Sequence, residues 1–295
     1  MTKQMRIKDV GATINLGNYS SLHVTIGESS EFAGLKLDQA TAYLKTIAEK
    51  VGGVLNLPEG VAKKQPKQQK ESSSTIDNAE KAYAFGGTIP ILYDHATHTY
   101  MSEEGVKYDS VTQILGTYYQ QNAVIAQEYM DFAACYGNLV HTAIQNAVIG
   151  KPPKKDLVKG IVKDTLKAMG HFDDAYVERF IALPEAEVAG RFDILTVANG
   201  EYTLWDVKTN SDIFAKSHCG LPEEIKKDFD TLWNLDTLFG EHCLQLNLYA
   251  YIIEKTTDIK ISKLRIIHVP NGFKDIYTVA KTDVSKVLSA YSETR

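Results

Sequence analysis

Residues 190–208 read GRFDILTVANGEYTLWDVK, and this stretch predicts a β-hairpin. Asn199 and Gly200 form the strongest short signal for a two-residue type I′ turn, and both flanking runs are rich in β-branched and aromatic residues. Because a two-residue loop fixes the register of the strands, Asp193 is predicted to lie directly opposite Asp206. The hairpin therefore brings two carboxylates together.

The opposed aspartates need a compensating charge. Directly opposed residues have Cβ atoms roughly 4.5–5.5 Å apart, and like charges at that spacing destabilise the pair. The period of a strand places Arg191 and Lys208 on the same face as Asp193 and Asp206. A solvated charge network is the simpler interpretation, since most Asp-x-Lys triplets mean no more. The apolar flanks favour a buried site instead, where a divalent cation would balance the two carboxylates.

Composition limits the classes of protein to which this hairpin belongs. The chain has 295 residues, of which 44% are hydrophobic, so it is long enough for one large domain or two small ones. A net charge of −5 argues against a protein that coats nucleic acid nonspecifically, although a local basic groove remains possible. Lys151, Lys154 and Lys155 begin a lysine stripe that would suit a phosphate backbone, and a solvated helix face is the alternative.

The chain carries no signal for export or membrane insertion. No apolar run approaches the roughly 20 residues that cross a bilayer, and the N-terminus lacks an apolar signal region. We therefore expect no membrane association and a cytoplasmic location, in a bacterium or a phage-infected cell. Three cysteines, Cys135, Cys219 and Cys243, form no C-x-x-C pair, so buried or inert thiols are expected.

Polar, low-complexity sequence at residues 62–75 predicts a flexible linker. The predicted organisation is a small ββα module of unknown role at residues 1–60, a linker at 61–80 and a larger domain at 81–295. Within the module, strands are predicted at 12–16 and 21–26 and a helix at 37–51.

The larger domain begins with short predicted strands and continues with long helices. Strands are predicted at residues 89–93, 98–101 and 106–108, and Ser110 is predicted to cap a helix. A further helix is predicted from about 122 to 149, with a possible break near Gly137.

Two pairs of polar residues lie four apart on predicted helices and therefore share a face. The first pair is Gly137 and His141, and the second is Gln245 and Tyr249. Taken alone, each spacing is more typical of a structural role than of a functional site.

In chain order, the motifs are Gly-x-x-x-His, Gly-Arg-Phe-Asp, Asp-Val-Lys-Thr and Gln-x-x-x-Tyr. This series resembles the RecB-like branch of the PD-(D/E)XK nuclease superfamily over residues 100–253. The lead-in GVKYDSVT at residues 105–112 is similar to that of phage and mitochondrial exonucleases in the group. The resemblance implies an α/β fold with a restriction-endonuclease-like core, in which a mixed β-sheet is flanked by helices and the hairpin is central.

The resemblance also implies a metal site. Asp193 and Asp206 would be the carboxylate ligands of Mg²⁺ or Mn²⁺, and the Val207 carbonyl and His141 would complete the protein's contribution. Lys208 would position or deprotonate the attacking water and help neutralise charge on the scissile phosphate.

Further residues would assist this centre. Gln245 and Tyr249 would support Lys208 or hold the DNA backbone. The upstream glutamate of the family fits Glu178 best, with Glu185 and Glu187 as competitors. The candidate DNA contacts are Arg191, Lys151, Lys154 and Lys155.

The function implied is a metal-dependent exonuclease that hydrolyses linear DNA in replication, recombination or repair. A structure-specific endonuclease, a catalytically silent DNA-binding or recombination scaffold, and a hydrolase of another phosphoester are the alternatives. Relatives that hold an iron–sulfur cluster bind it through four cysteines, three of which follow the Gln-x-x-x-Tyr motif. Because no cysteine follows Cys243 here, the resemblance implies no cluster. The sequence also contains no phosphate-binding loop for ATP. DNA is the expected partner, and the N-terminal module is a possible docking site for a replication or recombination protein.

Overall fold

A computed structural model of the protein describes residues 9–17, 20–27, 54–56, 79–95, 97–119, 127–151, 153, 156–270 and 272–295. In the N-terminal region, strands β1 (Asp9–Gly17), β2 (Ser20–Gly27) and β3 (Val54–Asn56) form a sheet in the order β2-β1-β3. The two strands predicted there are confirmed, and β3 is an addition. The predicted helix at 37–51 and almost all of the predicted linker lie outside the described residues, so the division into domains stays a prediction.

The described part of the remaining chain forms a nine-stranded mixed sheet in the order β12-β11-β10-β9-β7-β6-β5-β4, with β8 paired to β9. The strands are β4 (Glu80–Tyr83), β5 (Pro90–Asp94), β6 (Thr99–Met101), β7 (Lys107–Ser110), β8 (Asp174–Leu183), β9 (Val188–Ala198), β10 (Glu201–Lys208), β11 (Ile261–His268) and β12 (Asp275–Val279). The strands predicted at 89–93, 98–101 and 106–108 are confirmed as β5, β6 and β7, whereas β4 was not predicted.

Six helices accompany the sheet within the described residues: α1 (Val111–Tyr118), α2 (Gln127–Val148), α3 (Asp156–Met169), α4 (Glu223–Lys226), α5 (Leu238–Thr256) and α6 (Ser285–Thr294). A short 3₁₀ turn, Pro184–Ala186, joins β8 to β9. None of these helices is both long and apolar enough to span a bilayer.

The helices cover the central strands on both faces. One core contains Leu195 and Leu204 together with residues of α1, α5 and α6, and the other contains Ile194 and Trp205 together with residues of α2 and α3. Adjacent residues of β9 and β10 therefore point into different cores, which accounts for the nearly continuous apolar sequence of the hairpin. The mixed α/β architecture agrees with the expected class.

Two local features of the helices follow from their sequence. Ser110 caps α1 through a reciprocal pair: its hydroxyl accepts from the Gln113 amide at 3.1 Å, and its own amide donates to Gln113 Oε1 at 2.7 Å. The predicted break of α2 near Gly137 is wrong, because the helix runs through that residue without interruption. The chain leaves α2 at Gly150, whose φ of +76° is the left-handed conformation that favours glycine.

Candidate functional site

The predicted register of the hairpin is confirmed from the pair Glu201–Ala198 to the pair Trp205–Ile194. The backbone ladder between β9 and β10 ends there. Beyond the last pair, the Val207 backbone amide on β10 donates to Oδ2 of the Asp193 side chain on β9 over 2.8 Å. A carboxylate oxygen thus accepts from an amide of β10 at the point where the strands separate.

Asp206 and Lys208 form a buried ion pair at this open end. Lys208 Nζ lies 2.9 Å from Asp206 Oδ2, and the Asp206 side chain is only 4% exposed. Burial, together with the neighbouring Asp193, raises the pKa of Asp206 to about 6 although Lys208 opposes the shift. Burial alone would lower the pKa of Lys208, but Asp206 and Asp193 hold it above its usual value. The ammonium therefore stays protonated at neutral pH.

Glu178 adds a third carboxylate on the next strand. The β8–β9 register places Val177 opposite Ile194 and Arg179 opposite Phe192, so Glu178 lies opposite Asp193. Continuing the hairpin register by one pair places Asp206 on the other side of Asp193. Glu178, Asp193 and Asp206, hereafter the carboxylate row, thus occupy corresponding positions on β8, β9 and β10.

The backbone of Glu178 is in an unfavourable conformation. Its φ is +51°, in the left-handed region that a residue with a side chain seldom adopts. Such a conformation costs on the order of 1–3 kcal/mol and is typical of functional sites. Burial raises the pKa of Glu178, while Arg191 acts against the shift.

The surroundings distinguish Glu178 from its two competitors. Arg191 Nε lies 2.7 Å from Glu178 Oε2. Glu185 is exposed on the 3₁₀ turn, and Glu187 Oε2 is paired with Arg295 at 2.7 Å. Of the three glutamates, only Glu178 lies opposite Asp193. Arg191, predicted as a DNA contact, is held by Glu178.

His141 approaches the row from α2. Its Nδ1 lies 3.3 Å from Asp193 Oδ2. Burial would lower the pKa of His141, but Asp193 raises it to a net value above the usual one. One turn earlier, a Cβ at Gly137 would lie 3.1 Å from Thr209 Oγ1, so the glycine allows the segment after β10 to pass close to the helix. In the Gly-x-x-x-His motif, the glycine thus allows the loop after β10 to approach α2, and the histidine contacts Asp193 of the carboxylate row.

Gln245 and Tyr249 approach from α5 on the other side. Lys208 Nζ donates to Gln245 Oε1 at 2.9 Å, and Gln245 Nε2 donates to the Tyr249 hydroxyl at 3.1 Å. The Tyr249 ring is buried against Gly190, where an added Cβ would lie only 2.9 Å from Tyr249 Cε1. The glycine before Arg191 is therefore required by the packing of Tyr249.

Two residues near the site were not predicted. Gln145 lies one turn after His141 on α2 and donates through Nε2 to Glu178 Oε1. Glu241 lies one turn before Gln245 on α5. Burial raises its pKa, and Lys208 lowers it. The available sequence signal was the spacing: Gln145 is four residues from His141, and Glu241 is four residues from Gln245, so each shares a helix face with a predicted site residue.

The lysine stripe is only partly described. Lys151 is exposed after α2, and Lys159, Lys163 and Lys167 lie on the exposed side of α3, whereas Lys154 and Lys155 lie outside the described residues. The thiols of Cys219 and Cys243 are free and buried, as expected, and burial raises the pKa of both.

A cleft of about 230 Å³ opens beside Arg191 and Tyr249. It combines the guanidinium of Arg191, hydroxyl groups, aromatic rings and the N-terminus of α1. Its lining consists of Tyr93, His98, Tyr100, Ser110, Val111, Thr112, Gly190, Arg191 and Tyr249. A larger cleft of about 530 Å³ lies beside Asn247 and Tyr251 on α5. The carboxylate row lines neither cleft, but the smaller one is lined by Arg191 and Tyr249, which contact Glu178 and Gln245.

The donor set can be compared with the needs of a divalent cation. Among the described residues, no three His, Cys, Asp or Glu side chains form a metal cage by themselves. Mg²⁺ is usually held by one or two carboxylates together with waters and substrate phosphates, so a cage is not required. Asp206 is buried and the neighbouring Asp193 is partly exposed. The proximity of Asp193 helps raise the pKa of Asp206, and a cation between the two carboxylates would remove that repulsion. These oxygen donors fit Mg²⁺ or Mn²⁺ in chemical type.

No family model matches the chain, and no curated protein matches its sequence. A solved structure described as the crystal structure of SSO0001 is 16% identical, covers 63% of this chain and 75% of its own, and has a TM-score of 0.33. A likeness at that score carries no argument about the fold or the function of this chain.

Proposed function

We propose that this chain is a metal-dependent deoxyribonuclease with a restriction-endonuclease-like core, and that it hydrolyses linear DNA from an end. The observation that carries the proposal is the carboxylate row on three adjacent strands, with Lys208 held between Asp206 and Gln245. Placing a buried Asp206 next to a largely buried Asp193 at the end of a hairpin is unfavourable for folding. A reaction that needs a divalent cation would use the two carboxylates as ligands, and an anionic substrate would use the Lys208 ammonium.

Asp193 and Asp206, with the Val207 carbonyl, would hold Mg²⁺ or Mn²⁺, and neutral His141 would add a nitrogen donor better suited to Mn²⁺. When bound, the metal would supply Lewis-acid polarisation of the phosphate and a more acidic water. The ion pair between His141 and Asp193 is compatible with this role only after His141 loses its proton, since a ligand imidazole is neutral.

Lys208 suits stabilisation of charge better than removal of a proton. Its pKa is held above the usual value, so it offers a protonated ammonium at neutral pH. Placed by Asp206 and Gln245, this group would neutralise negative charge that develops on the scissile phosphate. Tyr249 would act indirectly, because it contacts Gln245 rather than Lys208.

Glu178 would help to position a water molecule or another ligand next to Asp193. Its carboxylate lies opposite Asp193, yet it is held by Arg191 and Gln145. This restraint favours positioning of a water or of a ligand over free proton transfer.

The cleft beside Arg191, whose guanidinium pairs with Glu178, supports attack at an end. Arg191 and the N-terminus of α1 offer positive charge and amide donors suited to a phosphate group. Its aromatic side chains would contact a base, and its volume suits a strand terminus better than a continuous duplex.

The proposed setting is replication, recombination or repair in the cytoplasm of a bacterial or phage-infected cell, with DNA as the partner. A structure-specific endonuclease is the second candidate. A silent scaffold is less favoured, because the Asp206–Lys208 pair and its support from Gln245 are all present.

The test is digestion of end-labelled linear DNA, single-stranded and double-stranded, alongside closed circular DNA. Each is incubated with Mg²⁺, Mn²⁺ or EDTA, and wild type is compared with Asp206→Asn and Lys208→Ala. Glu201→Gln is the matched control, because Glu201 is an exposed carboxylate on the same hairpin. We expect loss of linear DNA only, abolished by EDTA and by both site substitutions. Cut circles would indicate the endonuclease, and equally inert wild type and variants would overturn the proposal.

A further inference from the structure

The cleft of about 530 Å³ beside α5 has no part in the proposed reaction, and its volume is in the range of small-molecule sites. Asn247 and Tyr251 line it, whereas Gln245 and Tyr249 on the same helix belong to the site at Lys208. Residues two positions apart in a helix are separated by about 200° around its axis. The two pairs therefore point to opposite sides of α5, and the cleft is separate from the catalytic site.

Hydrogen bonds hold the walls of this cleft in place. Asn247 is only 1% exposed; its side chain accepts from the Thr282 amide at 2.8 Å and donates to the Ala280 carbonyl at 3.1 Å. These two bonds attach the segment after β12 to α5. Lys281 Nζ, in the same segment, donates to the Ile261 carbonyl at 2.9 Å. The cleft therefore has a defined shape without a ligand.

The lining of the cleft carries more positive than negative charge. Its charged residues are three lysines and two acids: Lys255, Lys260, Lys281, Glu254 and Asp283. One positive charge is therefore in excess. Ammonium groups that share a cleft repel one another, and an anion bound among them would remove that repulsion.

Both carboxylates of the cleft already have partners. Glu254 Oε1 lies 2.5 Å from Lys281 Nζ and accepts from the Ile261 amide at 2.7 Å. Asp283 accepts from the amide of Ser285 at 2.9 Å and from its hydroxyl at 3.0 Å. Within the described part of the chain, neither acid forms an ion pair with either of the other two lysines.

Lys255 and Lys260 are the groups that an anion could bind. Lys255 Nζ lies 5.3 Å from the centroid of the Tyr251 ring, a contact that leaves its N–H donors available. Among the described residues, none forms a hydrogen bond or an ion pair with Lys260. The hydroxyl groups of Tyr251 and Thr282 add neutral donors to the lining. A phosphate monoester carries a charge of about −1.5 to −2 at pH 7, which matches two ammonium groups.

We propose that this cleft binds a small phosphate monoester, with the phosphate between Lys255 and Lys260 and the organic part beside Tyr251. The inference goes beyond the proposed nuclease activity and does not depend on it. Lysine is a common ligand of phosphate in proteins. A nucleic acid fits less well, because the carboxylates of Glu254 and Asp283 would repel the additional phosphates of a polyanion.

Isothermal titration calorimetry in metal-free buffer measures the binding of thymidine 5′-monophosphate, and uncharged thymidine is the control ligand. Wild type is compared with a double variant that carries Lys255→Gln and Lys260→Gln. Lys227→Gln is the matched control, because Lys227 is an exposed lysine after α4 that lines neither cleft. Arg191→Gln detects binding in the smaller cleft instead. Circular dichroism melting verifies that each variant is folded.

We expect the double variant to raise the Kd for the nucleotide by about tenfold or more, because two charge-assisted contacts are lost. Lys227→Gln and Arg191→Gln should stay within about twofold of wild type, and thymidine should not bind. The Kd of wild type should rise with salt, which screens the ammonium groups. Equal binding by wild type and the double variant, or a loss of binding with Arg191→Gln alone, would overturn the proposed site.

A single-stranded oligonucleotide in the same titrations separates a free monoester from DNA as the source of the phosphate. Binding of the oligonucleotide through the two lysines, without binding of the mononucleotide, would assign the cleft to DNA and overturn the proposal. The outcome is also distinct from that of the nuclease assay. If wild type binds the nucleotide through these lysines but cuts no DNA, the cleft site stands and the proposed chemistry fails. If wild type cuts DNA but the double variant binds the nucleotide normally, the chemistry stands and the cleft site fails.

Discussion

The two ends of the β9–β10 hairpin differ in their backbone pairing and in the burial of their charged side chains. At the turn, the ladder is complete, and Glu201 is an exposed carboxylate whose Oε2 lies 2.6 Å from Lys263 on the neighbouring strand. At the open end, the ladder has ended, a side-chain oxygen of Asp193 accepts from the Val207 amide, and Asp206 is buried. At the turn end the backbone is fully paired and the charged side chains are exposed, as expected for a stable hairpin. The open end buries charges at a cost in stability, which is typical of a functional site.

The largest expected effect is a loss of kcat after substitution at the open end of the hairpin but not at the turn end. Asp206→Asn and Lys208→Ala should each lower kcat for DNA hydrolysis on the order of 10³-fold, because Asp206 would hold the metal ion and Lys208 would neutralise charge on the reacting phosphate. Glu201→Gln, at the turn end, should leave kcat within twofold of wild type. Initial rates with end-labelled linear DNA at saturating Mg²⁺ measure all three. A similar loss with Glu201→Gln would contradict the difference between the ends.

Gly190→Ala tests the packing that supports the open end. The new Cβ would approach the buried Tyr249 ring, so we expect the free energy of unfolding to fall by about 1–3 kcal/mol. Activity should fall as well, because Tyr249 accepts from the Gln245 that holds Lys208. Urea unfolding measures the change.

Gly116→Ala is the matched control for that substitution. Gly116 lies within α1, and apart from the backbone of the helix itself and the two neighbouring residues, no atom lies within 4 Å of an added Cβ. The free energy of unfolding should therefore rise by about 0.5–1 kcal/mol, as expected for alanine in a helix. Equal losses from both substitutions would show that Tyr249 is not the cause.

The pH dependence of metal binding tests the charge at Asp206. Its pKa of about 6 in the folded protein exceeds the usual unfolded value near 3.9, so the native state keeps its proton to higher pH. The stability that this group contributes to the metal-free protein is present below about pH 4 and is lost as the pH rises through 6. Mg²⁺ needs the carboxylate, so its stabilising effect should increase over the same range.

At tenfold excess over Kd, Mg²⁺ should stabilise the protein by about 1.4 kcal/mol at pH 7. At pH 5, with the same concentration of Mg²⁺, the shift in Tm should be clearly smaller. Asp206→Asn should respond little to Mg²⁺ at either pH. Thermal unfolding by circular dichroism records these shifts, and equal shifts in wild type at both pH values would exclude Asp206 as a ligand.

The smallest effect is expected at the turn. Gly200 has a φ of +79°, so Gly200→Ala forces a side chain into the left-handed region at a cost of about 1 kcal/mol in the free energy of unfolding. Hydrolysis of DNA at a temperature where the variant is folded should be unchanged. A loss of kcat without a loss of stability would mean that the turn takes part in the site.

The sequence predicts what depends on local rules. The approach of His141 and Gln245 to the hairpin was expected from the family resemblance rather than from their four-residue spacings. The Asn199–Gly200 turn and the Ser110 cap, in contrast, are local signals, and the hairpin register and the start of α1 agree with them. Each of these features is decided by residues only a few positions apart. Such features are encoded with little help from the rest of the fold.

The remaining features depend on contacts between distant segments. The proximity of Glu178 to Asp193 follows from the register of β8 on β9, and its left-handed backbone has no sequence signal. The continuity of α2 through Gly137 was mispredicted, because that glycine serves the close approach of Thr209 rather than a break. Gln145 was missed because its partner, Glu178, is distant in sequence.

The most direct test of the central claim is anomalous diffraction from crystals grown with Mn²⁺. The account predicts a manganese peak between the Asp193 and Asp206 carboxylates in wild type, and no peak at that position in Asp206→Asn. A fully occupied manganese elsewhere, with Asp206 still paired only to Lys208, would contradict the assignment of the open end as a metal-dependent catalytic centre.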